Sequence, residues 1–267
     1  MAREPTPFRR VVLGMGPGSI DLQMLRSAAE FARLLELEML GIFIEDPAVL
    51  ALTDLPFVRE LRLLDRAWRP FDALRVAADL RAAAEQARRQ FDREGAAVGV
   101  ACHFEIRRGD PATLTSSLSD ETDIIVMAEP ATAAERATTT VVRAQRAALT
   151  SPASVLFLPA TVPPRKGPVA VFAASAADPA HILASRIAAL AGEEAVLIPP
   201  PRSPSSSKLA SLLASALAGR HERLVVMTRG MGGSSDDTPL LLAAERNIPV
   251  LSIEPPAGAK RQPRRAN

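Results

Sequence analysis

Short apolar runs alternate along the chain with longer stretches in which apolar residues return every third or fourth position. That alternation is the signature of a parallel sheet with crossover helices. Val11–Met15 predicts a buried strand. Ile20–Leu35 predicts a helix, because Leu22, Leu25, Ala29, Ala32 and Leu35 fall on one face. Met39–Ile44 predicts the second strand, and Ala73–Phe91 a long helix closed by Gly95. Val98–Ile106 follows as a third strand, then a short helix Ala112–Leu118, a strand Ile124–Ala128, a helix Val141–Ala148 and a strand Val155–Leu158.

Thr161-Val-Pro-Pro-Arg-Lys-Gly-Pro168 has the composition of a linker. Beyond it the pattern restarts with a strand Val169–Ala173, a helix Ala180–Ala191 and a strand Ala195–Ile198. A Pro/Ser-rich turn (Pro199 to Ser207) leads to a helix Lys208–Ala218, a strand Leu224–Thr228, a helix Pro239–Asn247 and a strand Val250–Ile253. The second half is one strand shorter, and both halves close on a helix, a proline and a final strand, a weak internal repeat. The division is a first domain 1–162, a shorter second domain 163–257 and a basic, disordered tail 258–267. Each half is expected to carry its own sheet, split near 161–168.

One insertion interrupts the first half. Within Pro56–Arg69, Phe57, Leu61, Leu64 and Trp68 keep helical spacing, and Arg59, Arg62, Arg66 and Arg69 form a second stripe. This reads as a surface helix with a solvated basic face, and as a candidate surface for a homodimer or protein partner.

Three local patterns then come together in one order. Val11-Val-Leu-Gly-Met opens a strand before a long helix, and Leu40-Gly-Ile-Phe-Ile-Glu-Asp ends the second strand. Asp123-Ile-Ile-Val-Met-Ala leads through a helix to Ser151-Pro-Ala-Ser-Val-Leu-Phe-Leu. Over residues 8–160 this resembles the universal stress protein family, and residues 167–256 look like a degenerate second copy. The resemblance implies a flavodoxin-like, Rossmann-like sheet in each half, pairing through the last strands, and in some members ATP binding. Those members end the first strand on an Asp and carry Gly-x2-Gly-x9-Gly-Ser/Thr after the fourth. Here Gly16 stands at the Asp position, and Ala131, Ala134, Ala144 and Gln145 stand where the motif is counted. Glu129 adds negative charge where phosphates would lie. ATP binding by the first domain in the family's manner is therefore not expected. In the second half Gly230 and Gly233 keep the first gap, but Ala243 and Ala244 replace the later pair. The run through Ser234 reads as a flexible loop or as an anion-binding nest.

Gly14, Gly16 and Gly18 follow a strand and precede a helix, as in a dinucleotide fingerprint, but Ser19 takes the third glycine's place. Pro17 also removes a backbone donor. The polar residues Glu45, Asp46, Arg107, Arg108, Asp110 and Glu129 should gather at the carboxyl ends of the first sheet, as a ligand crevice or as loop-ordering ion pairs. No Walker lysine, nucleophile elbow or paired cysteines occur in the sequence. Cys102 and His103 are adjacent in a strand and face opposite ways, which excludes a dyad.

Charge changes the picture little. Of 32 basic residues against 30 acidic, four lie in the tail, as Lys260, Arg261, Arg264 and Arg265. The body is not a polycation, so no nucleic acid partner is expected. The single cysteine fits a reducing compartment, and no apolar run is long enough for a membrane span. The chain reads as a cytoplasmic, non-enzymatic, stress-related or regulatory binding protein whose two halves pair internally through Val155–Leu158 and Val250–Ile253. A nucleotide-dependent enzyme using the Gly14–Ser19 loop, and a scaffold subunit of a larger assembly, are the alternatives.

Overall fold

The computed structural model describes residues 7–17, 21–52, 55, 58–62, 67–70, 72–117, 120–129, 138–159, 166–201, 209–231 and 237–254. The chain order is β1 (Arg10–Met15), α1 (Leu22–Leu35), β2 (Glu38–Glu45), α2 (Pro47–Ala51), β3 (Arg59–Arg62), β4 (Ala67–Pro70), α3 (Ala73–Val98) and β5 (Cys102–Arg108). It continues with α4 (Pro111–Ser117), β6 (Asp123–Ala128), α5 (Thr139–Thr150), β7 (Ser154–Leu158), β8 (Val169–Phe172) and α6 (Pro179–Ala191). Last come β9 (Ala195–Ile198), α7 (Leu209–Ala216), β10 (Leu224–Thr228), α8 (Thr238–Arg246) and β11 (Val250–Ile253). The fold is α/β, as the alternating pattern requires.

Nine strands form one sheet in the order β5-β2-β1-β6-β7-β11-β10-β8-β9. Every pairing in it is parallel except one: β7 and β11 run antiparallel, with Leu251 opposite Leu156 and Val250 opposite Phe157. Instead of a sheet for each half there is one continuous sheet, and its single antiparallel seam joins the final strands of the two runs. Read outward from the seam, both runs wind alike, and the second lacks the outermost strand that β5 supplies in the first. Two apolar layers cover this sheet. One packs Leu13, Met39, Phe43 and Phe91 with Val171, Ile187 and Leu251, and so crosses the seam. The other, on the opposite face, unites Ile125, Val155 and Phe157 with Leu213, Leu242 and Val250, and crosses it too.

Two details of α3 correct the expected boundaries. The helix does not close at Gly95 but runs to Val98, where Gly99 caps it in the left-handed region at φ 73°. Gly95 serves close packing instead: a Cβ there would stand 2.0 Å from Cys102 Sγ on β5.

The stripe read as a helix over Pro56–Arg69 is also corrected. Its described residues form an antiparallel strand pair, β3 with β4, in which Leu61 lies opposite Trp68. A spacing of seven brings these two residues to one helix face or across one hairpin equally well. A helical stripe is stabilised by burial against a core, and Trp68 is 63% exposed. Without that burial the backbone pairs with itself. Residues 56, 57 and 63–66 lie outside the described residues, as does the tail 258–267.

Candidate functional site

The carboxyl ends of β1, β2 and β6 frame a cavity of about 430 Å³, with α4 and α5 beside it. Its position follows from alternation along the strands. On one sheet face β1 and β2 send Val11, Leu13, Met39 and Phe43 into the large core beneath α1 and α3. Gly41 leaves room on that face: Met15, Phe104 and Phe91 all come within 3.2 Å of where its Cβ would be. On the opposite face the same strands present Val12, Leu40, Ile42 and Ile44, with Leu114 of α4 against them. These side chains are short and none is aromatic. Gly14, exposed on this face, contributes none at all.

The structure brings Gly14 and Gly16 to the cavity wall, together with Asp46. Gly18 and Ser19 lie outside the described residues. Of the polar residues expected at the strand ends, Glu45, Arg107, Arg108 and Asp110 are held in internal ion pairs. Arg108 Nη2 stands 3.2 Å from Glu45 Oε2, as the strand register that aligns these two residues dictates. Arg107 pairs with Glu105 at 2.6 Å. Asp110, at the start of α4, accepts hydrogen bonds from the Thr113 backbone N–H at 3.0 Å and its hydroxyl at 2.9 Å, and meets Arg143 at 3.1 Å. Those bonds, the backbone one foremost, hold its carboxyl below the ordinary carboxylate range. Glu129 follows β6, and its backbone N–H donates to Leu158.

Several wall residues carried no polar signal in the sequence and were missed: Met24, Val49, Leu114, Met127 and Val141. The trace that could have shown them is the second face of β1 and β2, where Val12, Gly14, Ile42 and Ile44 alternate without one bulky ring.

The glycines of the second half lie elsewhere. Gly230, at φ 69°, follows β10, and Gly233 and Ser234 are outside the described residues. The informative residue there is Arg229. It is largely buried and reaches across the seam to the carbonyls of Ser151 at 2.6 Å and Ala153 at 2.7 Å, with Glu254 at 2.9 Å. Cys102 packs against the core, and burial pushes its thiol pKa up, away from reactivity. Among the described residues no cluster of three metal-ligating side chains occurs, and no helix is long and apolar enough to cross a membrane.

No family model matches the chain, and no curated protein does. Solved structures do. A universal stress protein from Archaeoglobus fulgidus DSM 4304 superposes with a TM-score of 0.63 at 14% identity, over 95% of this chain and 100% of its own. A protein of Pseudomonas aeruginosa UCBPP-PA14 assigned to the universal stress proteins gives 0.51 at 15% identity, over 93% and 94%. A functionally unknown protein from Pseudomonas aeruginosa PAO1 gives 0.52 at 14% identity, over 93% of each chain. At these identities the likeness carries the fold. The chain has a universal-stress-protein-like fold over nearly its whole length.

Proposed function

We propose that this chain is a non-enzymatic, stress-related or regulatory binding protein of the universal stress protein type. In this reading it holds two such domains, 1–162 and 163–257, and acts in the cytoplasm. The first offers one small-molecule crevice; the second, one strand short, acts mainly as its internal partner. The observation that carries the binding role is the cavity at the ends of β1, β2 and β6, of about 430 Å³. That is within the roughly 300–1,000 Å³ of small-molecule sites and at the strand ends where open α/β sheets bind. The tandem reading is supported by the two runs of strands with the same winding on either side of the β7–β11 seam. Phosphate binding in the family's manner is disfavoured by Pro17, by the alanines at the glycine positions and by the pairing of Arg108 with Glu45.

The test is to purify the protein gently, release retained small molecules by denaturation and identify them by mass spectrometry. A compound near one per chain, lost when the cavity is filled by Gly14→Leu, is the expected result. Turnover of a nucleotide that depends on Glu45, Arg108 or Glu129 would replace this reading with the enzyme. Recovery of only a protein partner, bound through β3–β4, would replace it with the scaffold.

A further inference from the structure

We propose that the cavity takes an uncharged, mainly apolar small molecule and excludes nucleotides and other phosphorylated ligands. This rests on the binding role just argued and adds the chemistry of the ligand. Its first support is the wall. The floor is Val12, Ile42, Ile44 and Ile125, and Leu114 and Val141 stand beside it on α4 and α5. Asp46 and Thr115 are the only polar side chains among the described residues that line it.

The second support is where those two polar groups point. The Thr115 hydroxyl donates to the Pro111 carbonyl of its own helix at 2.7 Å. An Asp46 carboxylate oxygen accepts from the Ala48 backbone N–H at 2.9 Å. The hydroxyl and that one carboxylate oxygen are thus engaged by their own backbone turns. The negative charge of Asp46 at the rim would repel a phosphate. The guanidinium of Arg143 on α5 is held by Asp110, and that of Arg108 by Glu45. Among the described residues that line the cavity, a phosphate brought here would lose its hydration without meeting a side-chain donor left over from these pairings, which is costly. An apolar ligand would instead cover Val12, Ile42 and Ile44 and gain from every wall atom removed from water.

Gly14 supplies a clean probe of the space. A Cβ added to it would meet only Ile44 Cδ1, at 3.8 Å, an ordinary contact. A larger side chain at this position therefore grows into the cavity rather than into the core.

The experiment titrates the full chain with N-phenyl-1-naphthylamine, an uncharged fluorescent probe, and then adds Mg·ATP as competitor. Wild type is expected to bind the probe saturably, one per chain, and to keep it at millimolar Mg·ATP. Gly14→Leu should weaken binding at least tenfold with an unchanged or raised Tm. Val141→Asp, which puts a charge on the wall that α5 supplies, should weaken it as well. Ile182→Ser, at an exposed position on α6, should bind as wild type does. Displacement of the probe by Mg·ATP, with an ATP affinity that Gly14→Leu lowers, would overturn the apolar ligand while leaving the binding role standing. Equal probe binding by wild type and both cavity variants would overturn the site itself. Should no probe bind and no molecule be retained on purification, both readings fall.

Discussion

Arg229 holds two backbone carbonyls and a carboxylate at once. Its side chain is 10% exposed, and its guanidinium donates to the two carbonyls that open β7 while its own strand neighbours β11. It thus ties the end of β10 to the turn between α5 and β7, across the seam. Hydrogen bonds from charged donors contribute about 1.5–3 kcal/mol each before losses elsewhere are counted. Arg229→Ala leaves the Ser151 and Ala153 carbonyls without these donors, and Arg229→Lys gathers its donors on one nitrogen where the guanidinium serves the two carbonyls from two. We expect Arg229→Ala to lower unfolding free energy by about 3 kcal/mol in urea titrations, and Arg229→Lys to recover less than half. A loss under about 0.5 kcal/mol in Arg229→Ala would show that water replaces these bonds freely. Nothing in the local sequence announces this role. Arg229 sits at the head of a glycine-rich run and reads there as part of a loop, because its partners are some 76 and 78 residues away along the chain.

Elements, in contrast, are largely legible, because alternation and helical spacing are local. The strands of the main sheet all lie where short apolar runs occur, displaced at most by a few residues. The failures have physical causes. Gly95 reads as a helix end because glycine is a frequent terminator, yet here its lack of a side chain admits β5. The consequence is testable. Glycine to alanine inside a helix ordinarily stabilises by about 0.5–1 kcal/mol. At Gly95 the added methyl would stand 2.0 Å from Cys102 Sγ and 3.7 Å from Cys102 Cβ. Gly95→Ala should therefore destabilise, by about 1–3 kcal/mol as overpacking does. Cys102→Ala removes the colliding sulfur, so the double variant should be more stable than Gly95→Ala alone. A double-mutant cycle by thermal denaturation checks this; additive single effects would mean that α3 shifts to absorb the methyl. The hairpin of β3 and β4 failed for a different reason, since a spacing of seven serves a helix face and a strand pair alike. The cavity was half legible: Gly14, Gly16 and Asp46 mark its rim, but its apolar interior depends on what α4 and α5 leave unfilled, which no local pattern records.

At the scale of the whole molecule the seam decides the behaviour. Exposed apolar final strands would be open to association, and the β7–β11 pairing removes both edges at once. Val155, Leu156 and Phe157 are fully buried there, as are Val250, Leu251 and Ser252. The apolar layers on both faces also cross this line, so the two runs of strands share their cores as well as their backbone hydrogen bonds. A charge at Leu156 would be enclosed from both faces with no partner, a substitution in the range of about 4 kcal/mol or more. Since the cores are shared, that loss should fall on the entire sheet. In hydrogen exchange followed by mass spectrometry, Leu156→Asp should lower protection in β1 and β6 and in β8 and β10 together. Ile106→Asp, at a half-exposed site on the outer strand β5, should leave both sides protected. If Leu156→Asp instead opens only one side while the other keeps wild-type protection, the two runs fold as separate units and the seam is a contact between them. The expected joint loss would mean that the short second run is retained because it completes the sheet whose far side holds the cavity.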